Sequence, residues 1–500
     1  LSLFETPNDD VLVPPPCLLV VRDTARASRD FLGAFAPLFR FCGIPTPVYA
    51  RFAVPLCRNR KKGNQCLYPP ISQCFGTVWI KGGCRVGVPM TSFQTLDDAD
   101  LVGKTVLVRV DVNSPLNPVT NEFLDDSRLR AIMPTLRRLG SSKVVLLSHQ
   151  SRPGKSDFTS MERHAELMGV LLGRIVKFVP DICGDVALTA IREMNNGDML
   201  FLDNVRGWDE EISMKKASLD ELGASEIVQK LSSVADIFVY DAFACAHRNS
   251  PTISGFGSVL PSYAGILIQN EIEALNFAVI NPPRPYTVIL GGIKCDDSLD
   301  IACNLLKREI VDNIVPVGIV GNLMLWASGI DLGNTNQSFI QDSLGDAFER
   351  TWEMATWIVK NHQDKLILPT DLAIEVEEER VAILVQDLPT EYPIYDLGID
   401  TLMKISPVIM NAKCILWNGP ASYFEKPKFA FGTIEILNTC VETDAFVIVG
   451  GGHTGTLVNQ RGAGEKVGHN STGGGSCLTF LAGKRMPAIE ALEKSAQKFA

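Results

Sequence analysis

The sequence predicts an α/β fold with parallel sheets, set out in two halves. Apolar runs of strand length alternate with amphipathic helical segments across residues 105–475. Such β-α repeats build parallel sheets with helices on both faces. Prolines at Asn281-Pro-Pro283 interrupt the alternation near its middle. The residues closing each apolar run also change there, from cations before the prolines to glycines after them.

In the first half, strands are read at 105–110, 143–148, 175–179, 199–202 and 236–240. Helices are read near 159–173, 184–194 and 219–234, with an amphipathic run from Asp125 to Leu139. The run ending at Val110 leads into Asp111 and Asn113, and the run to Ser148 leads into His149 and Arg152. The run to Leu202 leads into Asn204 and Arg206, and the run to Tyr240 into His247 and Arg248. In open parallel sheets the ligand crevice lies at the carboxyl ends of the strands. These side chains therefore line one mouth, suited to a small and strongly anionic ligand. Ser262 to Val279 reads as one long helix, ended by the prolines that join the halves.

In the second half, Tyr286–Leu290 runs into Gly291-Gly-Ile-Lys294, and Asn313–Val317 into Gly318-Ile-Val-Gly321. Lys365–Leu368 reads as a strand leading to Pro369 and Asp371. Lys413–Trp417 runs into Asn418-Gly-Pro420, and Ala445–Val449 into Gly450-Gly-Gly-His-Thr454. His469-Asn-Ser-Thr-Gly-Gly-Gly475 then opens a helix. Glycine lets backbone approach a ligand, and helix N-termini offer N–H groups and a positive dipole end to phosphate. This half reads as a nucleotide site. A mouth for a compact anion facing a mouth for a polyphosphate points to phosphoryl transfer, which needs in-line positioning and compensation of charge.

The formal net charge of −10 argues against bulk nucleic-acid binding, so the cations form a local site in an acidic protein. No run of about 18 apolar residues suggests a membrane span. The 13 cysteines contain no CxxC pair and read as free thiols in the core. Gly291-Gly-Ile-Lys294 lacks the GxxxxGK[ST] spacing and taken alone is a Gly-Gly turn with a surface lysine. Arg163, Arg192, Arg350 and the charge run Glu375–Arg380 read as solvated, and Trp352 and Trp357 as packing.

Residues 1–89 stand apart. They begin with Leu1, hold Pro14-Pro-Pro16 and carry more basic than acidic residues, and the first methionine is Met90. They show no sustained period of either secondary structure. The expectation is a non-homologous leader, disordered or read through from upstream sequence, with the functional start at Met90.

The ordered motifs are Val108-Arg-Val-Asp-Val-Asn113, Asp126-Ser-Arg-Leu-Arg130, Ser148-His-Gln-Ser-Arg-Pro-Gly154, Leu202-Asp-Asn-Val-Arg206 and Asp241-Ala-Phe-Ala-Cys-Ala-His-Arg248. They continue with Gly291-Gly-Ile-Lys294, Trp417-Asn-Gly-Pro420, Gly450-Gly-Gly-His-Thr454 and Ser471-Thr-Gly-Gly-Gly475. In this order they resemble phosphoglycerate kinase, most of all its archaeal-type branch, over about residues 101–491. The resemblance implies two Rossmann-like three-layer α/β/α domains joined by a hinge helix. A phosphoglycerate-binding domain would span 90–262 plus 485–500, the hinge helix 263–281 and a nucleotide-binding domain 282–484. It implies reversible transfer of the acyl phosphate of 1,3-bisphosphoglycerate to ADP, giving 3-phosphoglycerate and ATP, with Mg²⁺. It further implies a cytoplasmic protein of glycolysis or gluconeogenesis, monomeric or alternatively dimeric, with no nucleic-acid or membrane partner.

Carried over by position, Asp111, Val112, Asn113, Arg128, His149, Gln150, Ser151, Arg152, Arg206 and Arg248 would hold the phosphoglycerate. Arg128 and Lys294 would neutralise the phosphoryl group in transit, and Gly473, Gly474 and Gly475 would receive it on a helix N-terminus. Gly291, Gly292, Lys294, Asn418, Pro420, Glu425, Gly451, Gly452, His453 and Thr454 would hold the nucleotide, Glu425 through the ribose hydroxyls. Closure about the hinge would exclude water.

Some positions depart from the common pattern. His453 stands where bacterial and eukaryotic members carry an aspartate that helps hold the metal, so the metal ligand is left open. Ser298 replaces a second lysine, Ala421-Ser422 a Met-Gly pair, Val317-Gly318 a Gly-Gly pair, and Asp203 a glutamate. Two rival readings are a non-catalytic phosphoglycerate-binding descendant and a dinucleotide-dependent oxidoreductase. No GxGxxG with a following acidic residue supports the second.

Overall fold

The computed structural model describes residues 92–499, except 118, 119 and 121, and the backbone of strands β1 (Phe75–Ile80) and β2 (Cys84–Pro89). All of these lie in one compact unit, Pro70–Ala500. The expectations for residues 1–74 and for a start at Met90 fall outside the described residues. Where a leader without periodic structure was expected, β1 and β2 pair as an antiparallel hairpin with Val78 opposite Val86.

The first sheet holds β3 (Thr105–Val110), β4 (Lys143–Leu147), β5 (Lys177–Val179), β6 (Met199–Leu202), β7 (Ile237–Asp241) and β8 (Ser262–Ala264). The order is β5-β6-β4-β3-β7-β8, and every pair is parallel. The side-chain period of 2 divides β3 between two cores. Val106, Val108 and Val110 pack with Leu129, Leu136 and Met168, whereas Leu107 packs with Val145, Leu147 and Phe238 on the other face. Because both faces are covered, these strands are apolar almost throughout.

The second half starts with β9 (Tyr286–Leu290) and β10 (Asn313–Pro316). A separate antiparallel sheet follows, built of β11 (Asp371–Val376), β12 (Glu379–Leu384) and β13 (Ile394–Leu397). Then come β14 (Cys414–Asn418), β15 (Phe446–Val449) and the two-residue β16 (His469–Asn470). The parallel sheet runs β10-β9-β14-β15-β16. The result is the two-domain α/β class that the alternation predicts.

Three local readings are corrected, and the largely exposed charge run Glu375–Arg380 is found in a hairpin. Residues 365–368 form no strand: a 3₁₀ turn at Gln363–Lys365 is followed by a single bridge from Leu366 to Ile314, and Pro369 stops further pairing. The run Glu375–Arg380 belongs to the β11–β12 hairpin. Its two-residue turn sets Glu377 and Glu378 at φ 48° and 65°, a job usually signalled by Asn-Gly. Residues 219–234 break into two helices, Leu219–Gly223 and Glu226–Ser232. The helix expected from Ser262 begins instead at Ile266, because Ser262–Ala264 joins the sheet edge beside β7.

The helix Ile266–Val279 is anchored to the first sheet at its start. Ile268 N donates to Asp241 Oδ1 at 3.1 Å, and Ile266 N to Thr135 Oγ1 at 2.9 Å. The last helix, Pro487–Phe499, returns to the same sheet: Ser262 N donates to Ser495 Oγ at 2.9 Å and Ala488 N to the Ala246 carbonyl at 3.2 Å. The described cysteines are all buried and unpaired. Trp326 meets Trp352 edge-on at 4.6 Å, as packing predicts. Arg163 and Arg192 are exposed, whereas Arg350 is tied to Asp300. No helix among the described residues is long and apolar enough to cross a membrane.

Candidate active site

Parallel pairing sets the ends of β3, β4, β6 and β7 along one edge of the first sheet. At the end of β3, the buried Asp111 receives Arg128 Nη1 on Oδ2 at 2.7 Å and the Asn113 N–H at 3.0 Å. Burial alone would raise the Asp111 pKa. Arg128 above all, with the Asn113 N–H and Arg109, outweighs it and holds the carboxyl well below its usual range. At the end of β4, His149 is buried, and desolvation together with Arg109, Arg206 and Arg248 pushes its pKa well down against the pull of Asp111. The ring is therefore neutral at pH 7. After β6, Arg206 donates to the Ser151 carbonyl, and its pKa falls to about 10 through burial and then the Arg248 charge. Arg109, Arg128, Arg206 and Arg248 thus crowd around one carboxylate. Such an excess of buried positive charge is matched by an anion.

The second mouth is built of turns locked to one another. Gly291 N donates to the Asn418 carbonyl and Gly292 N to the Pro420 carbonyl, both at 2.8 Å. Gly419 has φ 86°, and a Cβ there would strike the Gly291 carbonyl, so only glycine fits. Gly451, at φ 71°, lies against the chain at Ser471 and Gly474. Gly473 caps the helix Gly474–Leu481. Lys294 caps the helix Cys295–Lys307 and is exposed.

The two mouths meet. A Cβ on Gly473 would stand 2.5 Å from Phe243 Cδ1, and one on Gly475 would stand 3.5 Å from His247 Cε1. His247 Nδ1 and Ser476 Oγ lie 2.6 Å apart. Burial first, and then the charges of Arg248 and Lys294, lower the His247 pKa to about 4. The Lys294 charge is therefore near enough to act on the His247 ring.

A family model described as "PGK: Phosphoglycerate kinase" matches residues 96–484. The chain belongs to the phosphoglycerate kinase family. A phosphoglycerate kinase of Methanocorpusculum labreanum is 41% identical over 409 residues, covering 82% of this chain and 99% of that protein. One of Methanothermus fervidus is 40% identical over 411 residues, covering 82% and 99%. The crystal structure of phosphoglycerate kinase from Pyrococcus horikoshii OT3 superposes with a TM-score of 0.74 at 35% identity, covering 81% of this chain and 100% of that one. The curated relatives are mostly archaeal, as the motifs suggested. Membership makes the chain a kinase, a phosphotransferase, and nothing favours the oxidoreductase or non-catalytic readings.

Within this phosphoglycerate kinase fold, some residues carried over by position face the scaffold. Gln150 is wholly buried. Its Oε1 accepts from Ser114 N at 3.1 Å and pairs with His164 Nε2 at 3.1 Å, and its Nε2 donates to the Ser114 carbonyl. Val112 is likewise core. Asn113 Oδ1 accepts Ser151 N at 2.7 Å and so holds Ser151 at φ 55°, a conformation costly for a residue with a Cβ. Arg152 is exposed at the rim. Asn418 and Thr454 are buried, whereas Glu425 and His453 are exposed.

Sequence reasoning missed other residues of the site. Arg109, 1% exposed, sits behind His149. Its signal was a lone arginine inside an apolar strand. Glu271, wholly buried on the helix Ile266–Val279, accepts from Thr472 N at 2.6 Å and Thr472 Oγ1 at 2.7 Å, and pairs with His469 Nε2 at 2.8 Å. No local pattern announces a contact spanning 201 residues. Asp111, His149 and Cys245 bring one ligand atom each within 4.8 Å of one another. Soft donors inside a ring of arginines do not suit Mg²⁺, which prefers oxygen ligands.

Proposed function

We propose that the chain transfers the acyl phosphate of 1,3-bisphosphoglycerate to ADP, reversibly, across the junction of the two mouths. Arg206, Arg248, Arg152 and neutral His149 hold the phosphoglycerate by charge-assisted or N–H hydrogen bonds. Each charge-assisted bond is worth roughly 1.5–3 kcal/mol. Asp111, fixed as an anion by Arg128, accepts from the substrate hydroxyl, with Asn113 and Ser151 shaping the loop. Arg128 and Lys294 offset the charge on the phosphoryl group in flight, and the Gly473–Gly475 N–H groups receive it at a helix N-terminus. Gly291, Gly292, Asn418, Pro420, Glu425 and Gly451–Thr454 hold the nucleotide.

Mg²⁺ enters as part of the nucleotide substrate, bound chiefly by phosphate and water oxygens, since the residue at 453 is an imidazole. We take 90–262 plus 485–500 as the phosphoglycerate domain, 263–281 as the hinge helix and 282–484 as the nucleotide domain, in a cytoplasmic monomer. The single observation that carries this reading is the close approach of the Gly473–Ser476 turn to Phe243 and His247. A coupled ATP-production assay on the purified chain, with 1,3-bisphosphoglycerate and MgADP, tests it. ATP formation is expected, and calorimetric titration is expected to show ADP binding and no NAD binding. Lack of turnover with both ligands bound would favour the non-catalytic alternative.

A further inference from the structure

Arg109 is the most deeply buried cation of the cleft, and no carboxylate among the described residues pairs with it. Its Nε donates to Thr252 Oγ1 at 3.1 Å, and its Nη1 to the carbonyls of Val110 and, at 3.4 Å, Leu147. Its Nη2 lies 3.0 Å from His149 Nδ1. Thr252 Oγ1 in turn donates to Glu211 Oε1 at 2.7 Å, which Ser250 Oγ also holds at 2.7 Å. Glu211 Oε2 takes the Thr252 N–H at 2.9 Å. The guanidinium is therefore clamped at Nε and Nη1 by groups that accept, with Nη2 turned to the imidazole.

A guanidinium has donors and no acceptor, and it does not deprotonate in proteins. The atom facing Nη2 must then offer a lone pair. A proton on Nδ1 would set two N–H groups against each other at 3.0 Å in a buried site, with neither satisfied. The groups around the ring come from three loops and one strand: Asp111 after β3, Arg206 after β6, Cys245 and Arg248 after β7, and Arg109 from β3 itself. Four of these five favour the neutral ring or leave it unchanged; only Asp111 favours charge.

We propose that Arg109 is a positioning residue that holds His149 as the neutral Nε2–H tautomer, so that the imidazole meets the anionic substrate as a hydrogen-bond donor. The positive field then comes from arginines, which do not titrate near neutrality, and His149 adds direction without a pH-dependent charge. The tautomer follows from the protein's geometry alone; its consequence for affinity rests on the phosphoglycerate reading given above.

Side-chain ¹⁵N–¹H correlation spectra of the ligand-free full chain test this directly. The chain has six histidines, and His149 is identified by the signal missing from a His149→Gln sample. A protonated Nε2 and bare Nδ1 are expected from about pH 6 to about pH 8. An Nδ1–H ring, or a doubly protonated one, overturns the proposal. Arg109→Met is expected to mix the tautomers and to raise KM for 3-phosphoglycerate about tenfold or more, with kcat within about twofold. Arg109→Lys, which keeps a donor, is expected to restore most of both. An unchanged tautomer in Arg109→Met also overturns it; if that variant does not fold, the wild-type and lysine spectra decide. Failure of the unaltered chain to bind 3-phosphoglycerate in calorimetry would sink the substrate reading and leave the tautomer result standing.

Discussion

Ser476 Oγ and His247 Nδ1 are hydrogen-bonded at 2.6 Å although 229 residues separate them. One belongs to the helix that follows the glycine turn, the other to the loop after β7. This bond fastens the two mouths together, and neither side chain is assigned to a substrate. Ser476→Ala is expected to lower turnover roughly fivefold, the worth of one neutral hydrogen bond, while each ligand alone binds within about twofold of normal. Steady-state kinetics beside calorimetry make the comparison, and unchanged turnover would show that the bond is incidental.

Lys294 is exposed, lies at a strand-to-helix turn of the second half, and lowers the pKa of His247 in the first. Its charge is thus placed to act on a group moving between them. Lys294→Ala is expected to leave phosphoglycerate affinity nearly intact and to reduce kcat by about 10² or more. A variant with full turnover would remove Lys294 from the proposed mechanism.

Glu271 holds the loop before Gly473 through Thr472 and His469. Burial works to raise its pKa, but the partnership with His469 and Thr472 prevails and lowers it. A folded pKa below the unfolded one gives stability that is present above the ordinary carboxylate value and is lost as pH falls through the folded value. Glu271→Gln is expected to flatten the loss of thermal stability on acidification below the ordinary glutamate value. Glu271→Ala, which strands a half-buried histidine and the Thr472 N–H and hydroxyl, should destabilise by about 1–3 kcal/mol. Denaturant melts across pH decide, and identical acid limbs for the glutamine variant and the unaltered chain would refute the assignment.

Asp241 shows the opposite sign. It is fully buried at the start of the helix Ile266–Val279, and desolvation raises its pKa from 3.8 to about 7 despite hydrogen bonds from Thr135 and from the Ile268 and Leu267 amides. Its contribution is complete below the unfolded value and is lost as pH rises through the folded one. Asp241→Asn keeps an acceptor for Ile268 N and no longer titrates. The variant is expected to gain on the unaltered chain as pH rises from about 5 to about 8, each pKa unit being worth about 1.4 kcal/mol. Melting temperatures that stay a constant distance apart over that range would show that Asp241 does not titrate there.

Much of this was readable in the order of residues. A strand buried on both faces must be apolar along its length, so β7, β9 and β14 declared themselves, and parallel pairing then put the loops after the strands of each sheet on one edge of that sheet. The same logic failed at Lys365–Leu368, where an apolar run before Pro369 makes only one bridge. It gave no sign of the turn at Glu377 and Glu378, where tertiary pairing of β11 with β12 overrides a poor turn sequence. Gln150 shows a further limit: its place in the motif suggested a ligand contact, whereas His164 and Ser114 occupy its amide.

Sequence alone determined the alternation, the sign of charge at each strand end and the glycines at each turn, because these are set by burial and backbone conformation within a few residues. Only the tertiary structure decided that Ser476 reaches His247, that Glu271 grips Thr472 and that Arg109 stands behind His149. Those pairings depend on chain segments distant in sequence, and a hydrogen bond forms only when packing brings its donor and acceptor within about 3 Å, which no local pattern encodes.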